Sequence, residues 1–373
     1  MDRSDATSWL TASELLSPVR RLLGEEVHAV VEWASTPLAG GFGEGLGVWR
    51  LTGSARTRSG PLPWTMILKG SAAPQSGMSP SGVDWPAREM ELYRSGQLSD
   101  LRSMLRTPAY YGHVERPDAS TWIWLEDIAF EDTGPWPVDR YRLVARELGR
   151  FNGAFLANGP LPDVPYISRG WLRQWIEESG SWLARLEENA EAPLIREIYP
   201  ADVIDAFRQD WHNRSATYAL LGRSPQAFCH LDAFLQNLLF PRESASDQRI
   251  VLIDWAYAGI AAIGEELAPL TTVNIMVGDH DLSDVPLIEA AALEGYLEGL
   301  RDTGWEGDPQ TVQAVYETAS RLRYGLGLLR NQMRLLLDQE RLRSVEERHG
   351  MSFAAIAAPY GEFHRWLVTK RSV

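Results

Sequence analysis

The chain has 373 residues, of which 45% are hydrophobic, so it is long enough to bury a large core and to form two lobes or domains. Its formal net charge of −14, from 36 basic and 50 acidic residues, disfavours a nucleic-acid-binding surface. The single cysteine, Cys229, excludes an internal disulfide, and the sequence has no apolar run of about 18 residues that would predict a membrane span. The N terminus lacks a signal-peptide pattern, so we expect a cytoplasmic, globular protein that binds neither nucleic acid nor a membrane.

The first predicted elements are a helix and a strand. Residues 9–23 carry apolar side chains at helical spacing, and either Thr11 or Ser13 is placed to cap this helix. Residues 28–36 are rich in β-branched side chains, which predicts a strand.

A glycine-rich segment, residues 39–51, follows this strand and runs into another apolar strand. Glycine lets backbone N–H groups approach phosphate oxygens closely, so the segment is a candidate phosphate-binding loop. A plain glycine-rich turn is the alternative. The candidate phosphate-binding residues are Gly41, Gly43 and Gly45.

The next elements are a strand at residues 64–70, which ends near Lys69, and a helix with charged and apolar faces at residues 85–96. A lysine at the end of a strand is usually solvated, so a function for Lys69 depends on its context. Strands are also predicted at residues 107–115 and 121–129.

The remainder of the chain is predicted to be mainly helical. One face of a long helix is marked by Tyr141, Val144, Leu148, Phe151 and Phe155, and a last long helix carries apolar residues between positions 315 and 336. Trp171, Trp175 and Trp182 have similar spacing within residues 169–188. They indicate either a buried helix face or a platform for stacking on a sugar or a base.

Residues 228–259 contain the densest group of candidate functional side chains. His230, Asp232 and Asn237 fall within the eight residues HLDAFLQN, and Asp254 follows the apolar run IVLI. Asn and Asp supply the hard oxygen ligands that Mg²⁺ prefers, and a further Asp accepts the proton of a hydroxyl during phosphoryl transfer. A buried hairpin with polar residues placed by chance is the alternative.

The pattern H-x-D-x-x-x-x-N followed by Ile253-Asp254-Trp255 resembles the catalytic loop of the protein-kinase-like phosphotransferases. It is most similar to the aminoglycoside phosphotransferase and choline kinase branch. Leu231 stands where that branch often has Gly and protein kinases have Arg. Because no A-P-E segment follows Asp254 either, the sequence disfavours a protein kinase.

The resemblance implies an α+β, two-lobed protein-kinase-like fold. The small lobe, residues 1–125, would hold a five-stranded antiparallel sheet with a helix, and the larger, mainly helical lobe would comprise residues 126–373. The lobes would be linked by a hinge at residues 125–128. There the Glu126 carbonyl and the Ile128 N–H would contact the adenine.

The resemblance also implies the roles of the other site residues. Lys69 and the candidate glycines would contact the phosphates of ATP or GTP. Glu89 would pair with Lys69, with Glu91 as the competing candidate. Glu266 stands at the acidic position of a segment that reads Asp-Leu-Ala in family members, and it is predicted to hold the catalytic loop by hydrogen bonds.

The catalytic residues implied by the resemblance are Asp232, as the group that orients the acceptor hydroxyl and takes its proton, and His230. Asn237 and Asp254 would hold Mg²⁺. The acceptor would be a small hydroxylated molecule, either an aminoglycoside-like antibiotic or a related metabolite. The acidic net charge fits a cationic acceptor, and equally an acidic surface that keeps the protein soluble.

Two further readings stay open. One is a kinase of the same fold that acts on choline, a sugar or a nucleoside-like compound. The other is a nucleotide-binding pseudokinase that works as a scaffold, although the intact Asp232, Asn237 and Asp254 argue against it. ATP turnover with a panel of acceptors distinguishes these alternatives.

Overall fold

The structure is a computed structural model, and it describes residues 7–24, 26–38, 46–131, 134–157, 161–242, 245–276 and 278–370. The chain divides into two compact units. The first comprises Met1–Asp132, Val164–Tyr166 and Leu238–Tyr257, and the second comprises Thr133–Asp163, Ile167–Asn237 and Ala258–Val373. Within the described ranges, no helix is both long enough and apolar enough to cross a membrane.

Strands predominate in the first third of the chain, where the described residues form two helices among six strands, and helices dominate the rest. The strands are β1 (Val27–Pro37), β2 (Gly47–Thr57), β3 (Gly60–Ser71), β4 (Leu105–Arg106), β5 (Tyr110–Glu115), β6 (Thr121–Leu125), β7 (Ser168–Arg169), β8 (Gln226–Cys229), β9 (Leu238–Leu239), β10 (Ile250–Leu252) and β11 (Gly259–Ala262). The helices are α1 (Ala12–Leu23), α2 (Arg88–Arg94), α3 (Val138–Ala157), α4 (Trp171–Glu188), α5 (Pro193–Ile198), α6 (Ala201–Arg223), α7 (Leu267–Met276), α8 (Val285–Asp302), α9 (Pro309–Arg321), α10 (Leu329–Leu336), α11 (Gln339–His349) and α12 (Phe353–Thr369).

The first unit is built on a five-stranded antiparallel sheet with the strand order β1–β2–β3–β6–β5. Side chains alternate between the two faces of a strand. On β3, Trp64, Met66 and Leu68 are buried on one face, and Ile67 and Lys69 lie on the other. The predicted five-stranded sheet is confirmed, and the alternation explains why Lys69 lies on the face opposite the core.

Helix α1 contributes to the core on the buried face of this sheet. Leu15 and Val19 join the same hydrophobic cluster as the buried side chains of β2 and β3. The helix begins with a capping box, in which the Thr11 hydroxyl accepts from the Glu14 N–H and the Thr11 N–H donates to the Glu14 carboxylate. Of the two candidate caps, Thr11 is therefore the one used.

A second, smaller sheet in the first unit holds the predicted hairpin. Strands β9 and β10 pair antiparallel, and β10 pairs in parallel with β4. This pairing places residues 238–257 with the N-terminal part of the chain, so the units interleave in sequence. The sequence predicts a single boundary after residue 125.

The second unit is organised around the close packing of α3 and α8, which run in the same direction: Arg142 meets Gly295, and Gly153 meets Thr303. Glycines allow the two backbones to approach closely: a β-carbon on Gly299 would lie 2.0 Å from the carbonyl oxygen of Arg146. A three-stranded sheet, in the order β7–β11–β8, lies in the same unit. Strand β8 leads directly into the segment that carries Asp232.

The long helix predicted near residues 315–336 is interrupted. Helix α9 continues into a π-helical segment, Leu322–Gly327, before α10 begins. A β-carbon on Gly325 would lie 2.9 Å from the ring of Phe207, so a glycine lets this segment pack closely against α6. Regular apolar spacing does not reveal the extra residue in this turn, so the prediction of one continuous α-helix was wrong.

Candidate active site

Lys69 is held by two carboxylates of the first unit. Its Nζ lies 2.6 Å from Glu89 Oε2 and 2.8 Å from Asp254 Oδ1. Burial lowers the pKa of Lys69, but Asp254 and Glu89 together raise it more, so the net pKa is raised. The ammonium group is therefore fixed in place and stays charged at neutral pH.

Glu89 is the carboxylate of α2 that meets this lysine. It is buried, and its Oε1 accepts a hydrogen bond from the Trp255 N–H at 3.3 Å. Burial raises the pKa of Glu89, and the charge of Lys69 opposes that effect. Glu91, the competing candidate, instead pairs with Arg94 on the same helix.

Asp254 follows β10 in a left-handed backbone conformation, with φ of +63°. This conformation is uncommon for residues other than Gly and costs about 1–3 kcal/mol, and such strain concentrates at functional sites. The short 3₁₀ turn Trp255–Tyr257 comes next, and Trp255 is fully buried. The carboxylate is thus presented from a rigid turn.

Next to Glu89 in sequence, Arg88 has its guanidinium surrounded by backbone carbonyl groups. It is fully buried, and it donates to the carbonyls of Tyr166 at 2.9 Å, Val83 at 3.0 Å and Ala256 at 2.6 Å. Burial lowers its pKa to about 10. Arg88 is the first residue of α2, so its hydrogen bond to the Ala256 carbonyl ties the start of this helix to the turn that follows Asp254.

The predicted hinge, residues 125–128, begins where β6 ends. Its side chains point to other partners: Glu126 pairs with Arg106 at 2.7 Å, and Asp127 pairs with Arg50 at 2.8 Å. Within the described ranges, neither the Glu126 carbonyl nor the Ile128 N–H makes a hydrogen bond to the protein.

A cavity of about 390 Å³ adjoins this hinge within the first unit. It is lined by Ile128, Phe130 and Thr65, together with the Arg50–Asp127 pair. Thr65 also donates to the Asp127 carboxylate at 2.7 Å, so the polar side of the cavity is tied to β3.

The glycine-rich segment is described only at its end. Gly41, Gly43 and Gly45 lie outside the described residues, so their predicted phosphate contacts stay predictions. Gly47 has φ of +131°, and a β-carbon there would lie 2.5 Å from the ring of Trp49. The strand that follows the segment therefore requires glycine at its first position.

In the second unit, the segment after β8 is held by Glu266. The Glu266 carboxylate accepts from the N–H groups of His230 and Leu231, both at 2.8 Å. Burial raises the pKa of Glu266 to about 7, and these hydrogen bonds oppose that rise. The hydrogen bonds predicted for Glu266 are therefore present. Leu231 has φ of +67°, so the backbone is left-handed at this point too.

Asp232 is held through both oxygens of its side chain. Its Oδ1 lies 2.7 Å from Nη2 of Arg323, and its Oδ2 accepts from Nδ2 of Asn237 at 3.2 Å. The same Asn237 Nδ2 donates to the Asp232 carbonyl at 2.9 Å. The His230 side chain is fully buried, and its Nδ1 accepts from the Asp232 N–H at 3.1 Å.

The sequence matches the model of the phosphotransferase enzyme family (APH) over residues 88–307. The chain belongs to this family. This finding confirms the predicted class of enzyme, a phosphotransferase. A comparison with curated proteins found no match.

Solved structures share the fold of this phosphotransferase at low sequence identity. Amicoumacin kinase hAmiN in complex with AMP-PNP, Ca²⁺ and Ami superposes with a TM-score of 0.55 at 16% identity, over 90% of this chain and 88% of that chain. A Plasmodium vivax ethanolamine kinase has a TM-score of 0.50 at 15% identity, over 90% and 81% of the chains. Spectinomycin phosphotransferase APH(9)-Ia with ADP and spectinomycin has a TM-score of 0.50 at 14% identity, over 97% and 100%. The predicted two-lobed, kinase-like α+β fold is confirmed.

The two predicted metal ligands of this phosphotransferase lie in different units, Asn237 in the second and Asp254 in the first. Nδ2 of Asn237 donates to Asp232, and the amide oxygen is the atom of this side chain that can bind a cation. An amide oxygen and a carboxylate match the hard oxygen ligands of Mg²⁺. The donor set therefore fits the predicted metal, and the metal site stays a prediction.

Sequence reasoning missed Arg323 and Arg88. Arg323 falls between the apolar positions of the predicted long helix, and Arg88 falls within the helix predicted at residues 85–96. Both side chains are buried. Long-range contacts of a single arginine leave no periodic signal in a sequence, so a single chain offers no pattern from which to find them.

Proposed function

We propose that this chain transfers the γ-phosphoryl group of ATP or GTP to a hydroxyl group of a small molecule, in a reaction that depends on Mg²⁺. The observation that supports this most directly is Lys69 held between Glu89 and Asp254. A charged lysine fixed in this way is suited to contact phosphate oxygens. Membership of the phosphotransferase enzyme family supports the same chemistry.

The nucleotide would be held by main-chain and side-chain groups of the first unit. The Glu126 carbonyl and the Ile128 N–H are the proposed partners of the nucleotide's purine base, because neither makes a hydrogen bond to the described part of the chain. Lys69 is the proposed phosphate ligand. The backbone N–H groups of Gly41, Gly43 and Gly45 are proposed phosphate contacts on the basis of the sequence alone.

Asn237 and Asp254 would hold the metal, which when bound neutralises charge on the phosphates. Asp232 would orient the acceptor hydroxyl. As the hydroxyl oxygen bonds to the γ-phosphorus and the bond to the bridging oxygen breaks, Asp232 would take the hydroxyl proton. His230 would contribute by shaping the loop, because its buried Nδ1 accepts from the Asp232 N–H.

The proposed acceptor is an aminoglycoside-like antibiotic or a related hydroxylated metabolite. Amicoumacin kinase and spectinomycin phosphotransferase share the fold, which supports an antibiotic, and an ethanolamine kinase shares it too, which keeps amino alcohols as the second candidate. The net charge of −14 fits a cationic acceptor. The single buried thiol, Cys229, supports a reducing, cytoplasmic location.

The test is phosphoryl transfer by the wild-type protein with Mg-ATP and Mg-GTP against a panel of aminoglycosides, other antibiotics, choline, ethanolamine, sugars and nucleosides. Mass spectrometry of each acceptor detects the added phosphoryl group, and calorimetry measures nucleotide binding in parallel. Transfer to at least one acceptor supports the proposal. Tight nucleotide binding without transfer to any acceptor overturns it and favours a scaffold.

A further inference from the structure

Arg323 hydrogen-bonds two consecutive residues, Leu231 and Asp232, of the loop that carries the proposed proton acceptor. Its Nη2 lies 2.7 Å from Asp232 Oδ1, and its Nη1 donates to the Leu231 carbonyl. The guanidinium group therefore fixes the carboxylate and the backbone just before it at the same time. A fork of two donors can do this, whereas a point charge cannot.

The environment of Arg323 strengthens this contact. The residue is only 4% exposed, and its guanidinium carbon lies 4.8 Å from the ring centroid of Trp171 and 5.8 Å from that of Trp175. Aromatic faces attract a cation and exclude water, which increases the strength of a nearby ion pair. Trp171 and Trp175 of α4 thus belong to a buried helix face and also lie against a charge.

The backbone that presents Arg323 is itself unusual. Arg323 belongs to the π-helical segment Leu322–Gly327, and such segments occur frequently at functional sites. The extra residue in the turn changes which side chains face inward. The buried arginine is thus presented from a π-helical turn rather than from a regular α-helix.

The hydrogen bond from Arg323 also helps to hold the backbone conformation of Leu231. Leu231 adopts a left-handed backbone, which favours glycine, yet it is a branched residue. Its N–H donates to Glu266 and its carbonyl accepts from Arg323, so both of its neighbouring peptide groups are bonded. These two bonds hold a conformation that leucine would not adopt readily by itself.

We infer that Arg323 is a positioning residue for phosphoryl transfer, which orients Asp232 by holding its carboxylate and the Leu231 carbonyl together. This inference rests on the proposed function, because it gives Asp232 the role of proton acceptor. Arg323 acts through Asp232 rather than through the nucleotide. Its loss therefore lowers kcat and leaves the affinity for Mg-ATP unchanged.

The variants that test it are Arg323→Met, which keeps the length and removes the charge, and Arg323→Lys, which keeps the charge but cannot bridge both partners. Arg321→Met is the matched control, because Arg321 lies two residues before Arg323 and pairs instead with Asp210 at 3.3 Å. We expect Arg323→Met to lose about a hundredfold in kcat, with KM for ATP within about threefold, since small displacements of a catalytic group have effects of this size. Arg323→Lys should lose less, and Arg321→Met should stay within about threefold of the wild type.

Amide hydrogen exchange of residues 230–234 provides a readout that needs no acceptor. Arg323→Met should exchange faster there than the wild type, and Arg321→Met should not.

If the wild type transfers phosphate to no acceptor, the proposed function fails, and exchange alone then decides whether Arg323 holds the loop. If Arg323→Met does not fold, the double variant with Leu231→Gly, which relieves the left-handed strain, is measured against Leu231→Gly alone. A folded Arg323→Met protein with wild-type kcat, or with unchanged exchange at residues 230–234, overturns the inference.

Discussion

Lys69 Nζ lies 2.6 Å from Oε2 of Glu89, and Glu89 is almost fully buried. Burial of this carboxylate would favour its protonation, and the ammonium group opposes that tendency. Each partner therefore depends on the other, because a buried charge left without a partner is strongly destabilising. The pair acts as one unit that presents a fixed positive charge.

The first prediction concerns Lys69→Met. The proposed base contacts are main-chain groups of Glu126 and Ile128, which this change does not touch. We therefore expect the affinity for ADP to stay within about threefold, while kcat falls by about 10²–10³, the effect of removing one electrostatic contact to the transition state. Isothermal titration calorimetry measures the first quantity, and steady-state transfer measures the second.

Two variants of α2 serve as controls for Lys69→Met. Glu89→Gln should reproduce the loss of kcat, because the lysine then loses its closest partner. Glu91→Gln should have wild-type activity, because Glu91 pairs with Arg94. Lost ADP binding with unchanged kcat in Lys69→Met would show that Lys69 does not act on the phosphates.

The second prediction concerns the proposed metal ligand Asp254. Asp254→Asn keeps the side-chain shape, and Asn tolerates the left-handed backbone at this position. We expect Mg²⁺-dependent transfer to fall at least tenfold, which corresponds to about 1.4 kcal/mol of barrier, with little change in the melting temperature.

The control for this prediction is Asp247→Asn in the same hairpin. Hydrogen bonds from Arg249 lower the pKa of Asp247 to about 2, but this carboxylate lies on the turn between the strands. Its loss should leave transfer unchanged. Wild-type transfer by Asp254→Asn over a full Mg²⁺ titration would exclude Asp254 as a metal ligand.

The five-stranded sheet and the two-lobed fold were predicted through the resemblance of an ordered set of short motifs to the phosphotransferase family. The same resemblance predicts Glu89 as the partner of Lys69, with Glu91 as the alternative that the structure excludes. The same reasoning assigned Leu231 no structural consequence. Its left-handed backbone follows from bonds to Glu266 and Arg323, which are distant in sequence.

The buried arginines show the limit of such reasoning. Arg88 bonds carbonyls at Val83, Tyr166 and Ala256, which three separate stretches of the chain supply. Propensity and periodicity describe neighbours within one element. They therefore cannot reveal a side chain whose partners are backbone groups brought together by the tertiary fold.

The third prediction concerns the pH dependence of stability. Burial raises the pKa of both Glu265 and Glu266 from 4.5 to about 7. A carboxyl group whose pKa is higher in the folded state stabilises the fold fully below its unfolded pKa, and this stabilisation is lost as the pH rises through the folded pKa. The free energy of unfolding should therefore fall between about pH 4.5 and pH 7, by on the order of a few kcal/mol.

The stability of the protein should respond differently to replacement of each glutamate by glutamine. Glu265 Oε1 accepts from the Ala262 N–H, and Glu265→Gln keeps that oxygen, so this variant should show a weaker pH dependence and little loss of stability at pH 8. Glu266 accepts through both oxygens, so Glu266→Gln places an amide N–H against a backbone N–H and should be less stable throughout. Urea unfolding from pH 5 to pH 8 measures both effects. An identical pH dependence in the wild type and Glu265→Gln would show that Glu265 does not titrate in this range.

The last prediction concerns Asp232, the proposed proton acceptor. Asp232→Asn keeps the size of the side chain and removes its charge. Because Arg323 and Asn237 both donate to the carboxylate, an amide can accept from only one of them. We therefore expect a modest loss of thermal stability in this variant.

For an active kinase, Asp232→Asn should bind Mg-ATP about as tightly as the wild type, because the proposed phosphate ligands lie elsewhere, and it should lose nearly all transfer. Asp210→Asn is the matched control, since it removes the carboxylate of the Arg321–Asp210 pair and should keep wild-type transfer. The measurements are nucleotide titration and product formation on the most active acceptor of the panel. Equal transfer by Asp232→Asn and the wild type would show that the hydroxyl proton leaves by another route, because a carboxamide cannot replace a carboxylate as a proton acceptor at neutral pH.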